Sequence, residues 1–189
     1  MRDLIVGCCA ALCLAAAPAL ADPIHEAAKS GDLAQLRALL DKDAELLYEK
    51  DEVGKTPLHW ATGRGQLAAI KLLLDEYHVD VDVRNGNEGT PLHVAASQAQ
   101  PEAMRILLAH GADVNARTKE GFTPLHYAAL KGRKPGHLET AKLLLEKGAD
   151  VNARAGNGAT PLAMAQYRKN KSMAALLSER GGKAGPRKR

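Results

Sequence analysis

Four histidines recur along the chain at a nearly constant interval, and a regular row of histidines is a pattern that can bind metal ions. His25, His59, His93 and His126 each stand three residues after an Asp or a Thr. If the segments between them fold as stacked helical units, neighbouring histidines lie about 8–10 Å apart, the usual distance between packed helices. Zinc–nitrogen bonds are only about 2 Å long, so adjacent histidines could not share one ion. We therefore expect a structural role for these histidines, with metal ligation as the alternative.

A second set of polar residues alternates with small apolar ones and invites comparison with calcium sites. The set comprises Asp80, Asp82, Asp113, Asn115, Asp150 and Asn152. Calcium needs about six to eight oxygen ligands gathered around one ion, usually by a Gly-containing loop, and this spacing does not supply them. Asp and Asn side chains commonly stabilise turns by bonding to backbone amides, and we expect that role here.

Sequence motifs for catalysis are missing from the chain. It has no nucleophile elbow, phosphate-binding loop, zinc-protease motif or paired-carboxylate pattern. The three cysteines, Cys8, Cys9 and Cys13, all lie near the start. We therefore predict no catalytic residue, cofactor or metal, and expect that the protein is not an enzyme. A hydrolase with an unfamiliar site is the alternative.

These residues belong to a longer phrase that returns along the chain. The phrase opens with Asp22-Pro23-Ile24 and then with Thr-Pro-Leu at Thr56, Thr90, Thr123 and Thr160. Successive openings are 34, 34, 33 and 37 residues apart, an interval typical of stacked-repeat solenoids. Thr and Asp are favourable helix N-caps, and Pro suits the first helical position. Apolar residues at helical spacing then predict a second helix, which a glycine such as Gly148 closes.

The whole phrase resembles the ankyrin repeat. In the fourth copy the resemblance rests on Thr123-Pro124-Leu125-His126, Ala128-Ala129 and Gly148-Ala149-Asp150-Val151-Asn152-Ala153, and along the chain it covers Asp22 to about Gly182. It implies an all-α repeat solenoid of stacked helix-turn-helix ankyrin repeats with β-hairpin fingers between them. It also implies that each histidine ties the start of its helix to its own Thr and to neighbouring backbone.

We predict five repeats in one domain of residues 22–180, at about 22–55, 56–89, 90–122, 123–159 and 160–180. The fourth contains about four extra residues, Arg133–Gly136, which we place between its helices, with the second helix beginning near Leu138. The fifth is a cap, since Ala163 replaces the histidine and Lys171 and Ser178 replace core leucines. No finger is expected after it. Residues 181–189 are predicted to form a basic, disordered tail.

Residues 1–21 have the pattern of a signal peptide. Arg2 precedes an uncharged apolar run from Leu4 to Ala17, and Ala19-Leu20-Ala21 has the small residues of a cleavage site. We expect cleavage after Ala21, with an uncleaved anchor as the alternative. The run is too short to cross a bilayer as a stable helix. The predicted location is the periplasm or outside the cell, and the mature chain would contain no cysteine.

By the same resemblance, first helices and fingers line a concave groove in which protein partners dock. Trp60, Val94, Tyr127 and Met164 form a stripe at equivalent positions of the first helices, for which packing between repeats is the alternative explanation. Phe122, the only Phe, is expected to be an exposed interface anchor. The predicted partner-binding residues are Lys55, Trp60, Arg64, Asn87, Ser97, Gln98, Lys119, Glu120, Phe122, Tyr127, Lys131, Asn157, Tyr167 and Arg168.

Charge is distributed unevenly. Residues 22–57 contain nine acids and five bases (net −4), residues 58–102 six and three (net −3), and residues 103–179 six and twelve (net +6); five more bases follow from Arg180. The imbalance is either a solvated surface or a basic end that steers toward an acidic protein, lipid or sugar. No nucleic-acid partner is expected, because a basic stripe with interleaved aromatic residues is missing.

These observations predict a non-enzymatic protein-interaction scaffold that acts as a monomer and binds a partner through its groove. A regulator or inhibitor that occludes the active site of a periplasmic enzyme is the alternative.

Overall fold

The computed structural model describes residues 23–131 and 135–185, so the predicted signal peptide lies outside the described residues. These described residues fold as five consecutive helix pairs. The first helices of the pairs each begin at a Pro; they are α1 (Pro23–Ser30), α3 (Pro57–Arg64), α5 (Pro91–Gln98), α7 (Pro124–Lys131) and α9 (Pro161–Tyr167). The second helices are α2 (Leu33–Leu40), α4 (Leu67–Lys71), α6 (Pro101–Ala109), α8 (Pro135–Glu146) and α10 (Lys171–Glu179).

Two helical segments of other types complete the secondary structure. A 3-10 helix, Ala44–Tyr48, follows α2, and α4 continues as a π-helical turn, Leu72–Glu76. Among the described helices none has the length and apolar character needed to cross a bilayer.

The five first helices contact one another in sequence, from α1 to α9. Their facing positions are small and fully buried: Ala27, Ala28, Ala61, Ala95, Ala96, Ala128, Ala129 and Ala165. Small side chains let short helices approach closely, while the leucine at the second position of α3, α5, α7 and α9 fills the space beneath. The second helices form an outer row with larger side chains, such as Leu36, Ile70, Met104, Leu144 and Leu177, in a continuous core. The predicted all-α repeat solenoid is confirmed.

Each repeat junction is held by its histidine. The Nδ1 atoms of His59, His93 and His126 lie 2.9 Å from the hydroxyl of the Thr that caps the same helix. The Nε2 atoms lie 3.0, 3.0 and 3.1 Å from carbonyl oxygens in the following finger, those of Gly89, Phe122 and Ala159. Because a carbonyl only accepts, Nε2 carries the proton and Nδ1 accepts from Thr. Both ring nitrogens are thus engaged, which confirms the predicted structural role.

The fingers are hydrogen-bonded turns, and no strand occurs in the described residues. Two backbone bonds close each turn, for example Asp51 N to Lys55 O at 3.0 Å and Gly54 N to Asp51 O at 2.8 Å. Neighbouring fingers share single bonds, such as Lys119 N to Asn87 O at 3.1 Å. The β-hairpins that the resemblance implied therefore do not form strands, since isolated bonds do not make a ladder.

The Asp and Asn residues of the fingers stabilise turns, as predicted. Within a finger, Asp113 Oδ1 accepts from Asn115 N at 2.9 Å. Between fingers, Asn115 Oδ1 accepts from Asp150 N at 2.8 Å, and Asn115 Nδ2 donates to Gly148 O at 3.2 Å. The same bonds recur one repeat later at Asn152, so these side chains link each finger to the next.

The start of α8 differs from the prediction. The helix begins at Pro135, so Pro135 and Gly136 are helical and do not belong to an inserted loop; residues 132–134 lie outside the described residues. Pro is compatible with the first turn of a helix because its missing amide proton is not needed there. His137, on this first turn, lies with Nε2 3.1 Å from the carbonyl oxygen of Ser97, which anchors the turn to α5.

The first residues of the predicted disordered tail are ordered. Gly182 N donates to Leu177 O at 2.8 Å, and Lys183 N donates to Asn152 Oδ1 at 2.7 Å. Thr160 Oγ1 donates to Lys183 O at 2.8 Å. Gly181-Gly182-Lys183 thus occupies the place that Gly-Ala-Asp occupies after α6 and α8, and the chain begins one more finger. Residues 186–189 lie outside the described residues.

Candidate functional site

Two adjoining depressions lie between the fingers and the first helices in the middle of the solenoid. One has a volume of about 140 Å³ and the other of about 200 Å³. They share Lys55, Val94 and Gln98. We call their side-chain lining the central groove; it consists of Lys55, Trp60, Arg64, Asn85, Asn87, Val94, Ser97, Gln98 and Tyr127, with His59 and His93 at its base. Fingers contribute its polar edge and the helices α3, α5 and α7 its floor.

Trp60 is held in a fixed orientation within the groove. Its Nε1 donates to Asp51 Oδ2 at 2.8 Å. The Lys55 ammonium lies 4.1 Å from the centre of the indole ring and the Lys29 ammonium 5.3 Å from it. Cation–π contacts of this kind contribute about 0.5–1 kcal/mol at exposed sites. Trp60 therefore presents a partly exposed, preorganised surface.

Asp51 organises the finger that carries Lys55. Its Oδ1 accepts from the backbone amides of Lys55 at 2.7 Å and Val53 at 3.0 Å, while Oδ2 accepts from Trp60. Desolvation opposes ionisation of this carboxyl, but the three hydrogen bonds outweigh it, and the pKa of Asp51 is lowered. Asp51 therefore supports the finger and Trp60, because its carboxylate oxygens accept hydrogen bonds from groups within the protein.

An aromatic cluster forms the other end of the groove. The Phe122 ring packs edge-on against His126 and Tyr127, with 5.6 and 6.1 Å between the ring centres. Tyr127 packs edge-on against His93, with 5.6 Å between the ring centres. Burial raises the pKa of the Tyr127 hydroxyl, and the nearby Glu120 carboxylate raises it further. The expectation that Phe122 is exposed is wrong, because the ring is partly buried and contributes to the junction between repeats.

The two histidines at the base of the groove use their ring nitrogens within the protein. Across residues 23–131 and 135–185 no three His, Cys, Asp or Glu side chains come together as a metal site. Burial lowers the pKa of His59 and of His93 to about 4, so both are neutral at neutral pH with both nitrogens hydrogen-bonded. What the groove presents is a set of cations, hydrogen-bonding side chains and apolar surface suited to recognition.

Comparison with known families gives the same result as the fold. A family model of ankyrin repeats in three copies matches residues 7–85 and residues 65–155. The chain belongs to the ankyrin-repeat family. Ankyrin repeats generally mediate protein–protein interaction, and members of the family are typically scaffolds without enzymatic activity. A search of curated proteins finds no match to this chain.

The ankyrin fold brings half of the predicted partner-binding residues together. The residues that line the central groove are Lys55, Trp60, Arg64, Asn87, Ser97, Gln98 and Tyr127. Lys119 and Glu120 lie on the next finger and tie it to its neighbour: Lys119 Nζ donates to Gly86 O at 3.1 Å, and Asn87 Nδ2 donates to Glu120 Oε2 at 2.8 Å. Glu120 thereby lies at the rim of the groove.

The remaining predicted residues of the ankyrin surface lie elsewhere. Lys131 and Arg168 are exposed at or beside the ends of α7 and α9, and Asn157 is exposed on the last full finger, where its Oδ1 accepts from Ala159 N. Tyr167 is 79% exposed and borders a separate depression of about 330 Å³ that it shares with Ala184 and Gly185 of the tail.

Two groove residues were missing from the predicted binding set, Asn85 and Val94. Asn85 occupies the position of Asp51 one repeat later, and its Oδ1 likewise accepts from two finger amides, those of Asn87 and Gly89. The shared position in the repeat was the available signal. Val94 was recognised as part of a helical stripe, but only the stacking shows that it is the floor of both depressions.

Proposed function

We propose that this ankyrin-repeat protein is a non-enzymatic scaffold that acts as a monomer and binds a protein partner in the central groove. The observation that supports this most strongly is that residues from three successive first helices, α3, α5 and α7, and from two fingers lie side by side on a single surface. Hydrogen bonds hold the side chains of Trp60, Asn85 and Asn87 in place. A preorganised surface loses little conformational entropy on docking, which favours affinity.

We further propose that binding takes place in the periplasm or outside the cell. The support is the signal-peptide pattern of residues 1–21, with its positive start, apolar run and Ala19-Leu20-Ala21 cleavage motif. The mature protein would rely on apolar stacking for its stability, since Asp22 and the residues after it include no cysteine.

Inhibition of a periplasmic enzyme by occlusion would use the same surface. It requires that the partner be an enzyme and that its active site lie against the groove. Inhibition is therefore not a separate binding mode, and the identity of the bound partner decides whether it occurs.

Site-specific photo-crosslinking tests the binding surface. A photoreactive amino acid at Val94 or Gln98 is expected to crosslink a protein partner in the native compartment. The matched control places the same amino acid at Lys71 or Lys142, exposed positions on the second-helix side. Crosslinks to the same partner from the control positions, or none from the groove, would contradict the proposal. Mass spectrometry of the crosslinked product identifies the partner and shows whether it is an enzyme.

Fusion to a reporter tests the location. Residues 1–24 placed before an alkaline phosphatase that is active only after export should give activity. The control carries Leu12→Arg and Leu14→Arg in the apolar run, which should prevent export because charged residues interrupt the hydrophobic segment. Equal activity from both fusions would refute the signal-peptide assignment.

A further inference from the structure

The charge of the central groove is opposite to that of the sequence region that builds most of it. Residues 22–57 carry a net charge of −4 and residues 58–102 a net charge of −3. The two depressions are nevertheless lined by two cations, Lys55 and Arg64, and by no carboxylate. A groove with cations and no acids in its lining attracts negative charge.

Four acids in or near this region have structural partners outside the groove lining. Glu76 pairs with Arg37 across the second helices, and Asp75 Oδ1 lies 2.7 Å from His110 Nε2. Asp51 uses its oxygens on Trp60 and two backbone amides, beneath the surface that Trp60 presents. Glu120, at the far rim, accepts from Asn87. These four carboxylates are therefore held in structural contacts, and none of them lines either depression.

The Lys55 ammonium packs on the Trp60 ring, but within the described residues no acid neutralises either cation of the groove. In the part of the chain that the structure describes, neither Lys55 nor Arg64 forms an ion pair with a carboxylate, whereas Lys29 nearby is paired with Glu26 at 2.8 Å. Lys55 and Arg64 line the same depression of about 200 Å³, together with Trp60 and Gln98. A carboxylate in this depression could accept from both cations, and charge-assisted bonds of this kind are about twice as strong as neutral ones.

The remainder of the lining fits an extended peptide. Val94 and the part of the Trp60 side chain that lines the depression supply apolar contact. Along the adjoining depression Ser97, Gln98 and Tyr127 present polar groups that can bond to peptide backbone. Proteins that bind single-stranded nucleic acid usually stack its bases on a row of aromatic side chains. The groove lining has no such row, since Val94 separates Trp60 from Tyr127 in the stripe.

We propose that the central groove binds an acidic peptide segment of its protein partner. One carboxylate lies in the depression that Lys55 and Arg64 share, and an adjacent apolar side chain packs on Val94 and Trp60. Glu120 at the opposite rim disfavours a second carboxylate there, so it favours one direction of the peptide along the groove. This proposal rests on the proposed function and specifies the chemistry of the partner.

Peptide selection tests the chemistry without knowledge of the partner. A displayed library of random peptides of about twelve residues, about 40 Å when extended, is selected on the purified protein and sequenced. Selected peptides are expected to be enriched in Asp and Glu next to an apolar residue. A peptide from this set, and the same peptide with its acids changed to Asn and Gln, then serve as probe and control in titrations.

The only tryptophan of the chain, Trp60, reports occupancy directly through its fluorescence. The double variant Lys55→Gln, Arg64→Gln should weaken the acidic probe about tenfold or more, which corresponds to about 1.4 kcal/mol. The control double variant Lys71→Gln, Lys142→Gln makes the same change in net charge on the second-helix side and should leave affinity unchanged. Raising the salt from about 0.05 M to about 0.5 M should weaken the wild-type complex and the control alike.

Each outcome has a defined meaning. Selected peptides without an excess of acids, or equal loss of affinity in both double variants, would overturn the acidic-peptide proposal and leave a peptide-binding groove in place. Probes that bind without changing Trp60 fluorescence and without sensitivity to Val94→Arg would overturn the proposed function as well. Thermal melting of each variant, followed by circular dichroism, ensures that lost binding is not lost folding.

Discussion

The Nε2 atom of His93 lies 3.0 Å from the carbonyl oxygen of Phe122, 29 residues further along the chain. Through this bond the side chain of one repeat holds the finger that leads into the next repeat. His59 makes the same bond to Gly89, and His126 makes it to Ala159. Because the donor is a neutral, buried imidazole, the junctions depend on pH.

Acid is therefore expected to destabilise the solenoid before most carboxylates titrate. Burial lowers the pKa of His59 and His93 to about 4 from an ordinary value of 6.5, and it lowers the pKa of His126. Between these values the unfolded chain binds more protons than the folded one, so stability is complete above pH 6.5 and falls as pH decreases toward 4. At pH 5 the loss is about 2 kcal/mol for each of His59 and His93. Urea unfolding at pH 7.5 and pH 5 measures it.

His110 provides an opposite control. Its bond to the Ile106 carbonyl and its contact with Asp75 raise its pKa, so its contribution is present below the unfolded pKa and is lost as pH rises through the folded value. The variant His110→Gln should therefore show a larger loss of stability on acidification than the wild type. A pH-independent midpoint in both proteins would show that the junction histidines do not titrate as described.

The variant Asp82→Asn is expected to stabilise the protein. Asp82 Oδ2 accepts from Asp113 N at 2.9 Å, but Oδ1 is buried without a hydrogen-bond partner in the described residues, and burial raises the pKa of this carboxyl. At the same position one repeat later, Asn115 donates through Nδ2 to a glycine carbonyl. An amide at residue 82 would make the equivalent bond to Gly111, a gain of about 1 kcal/mol.

The reverse change, Asn115→Asp, is the matched experiment. It removes the donor to Gly148 and places a charge beside a carbonyl oxygen, so it should destabilise by about 1 kcal/mol or more at pH 7. Chemical unfolding of both variants at one pH compares them directly. If both changes were neutral, the side-chain hydrogen bonds between neighbouring fingers would not be stabilising.

Phe122→Ala is expected to lower stability. The ring is partly buried and packs on His126 and Tyr127, so its removal should cost about 1–2 kcal/mol, less than a fully buried Phe because part of the ring contacts solvent. Tyr167→Ala is the control, since that side chain is 79% exposed and should melt like the wild type. An unchanged melting temperature for Phe122→Ala would indicate instead that Phe122 is an exposed interface residue.

Close approach of two fingers predicts unequal effects of two glycine substitutions. Gly54 and Gly148 both have positive φ, 75° and 88°, so Ala at either site carries a conformational cost of about 1 kcal/mol. A Cβ at Gly54 would also lie 2.5 Å from the backbone nitrogen of Gly86, whereas nothing lies within 4 Å of a Cβ at Gly148. We expect Gly54→Ala to lower the free energy of unfolding by about 1–3 kcal/mol more than Gly148→Ala does. Urea unfolding of both variants provides the measurement, and equal losses would show that the fingers separate without cost.

The repeat pattern extends into the first residues of the tail. Gly181-Gly182-Lys183 stands in the register of Gly148-Ala149-Asp150, yet its composition predicted disorder. The stacked structure supplies partners that composition does not reveal, because Asn152 and Thr160 accept from or donate to the backbone of Lys183. Similarly, Pro135 starts α8 because α5 lies beside it, although the residues around it have the composition of a loop.

The sequence alone determined the repeat, the paired helices and the capping role of Thr and His. These features depend on residues three or four positions apart, whose contacts a helix fixes locally. Only the tertiary structure decided that Phe122 is packed and that the groove is lined by cations within an acidic stretch of chain. Those properties depend on residues about one repeat apart, and their distances are set by how neighbouring units stack. Local hydrogen bonding therefore encoded the helix pairs, and the packing between repeats determined which side chains line the groove.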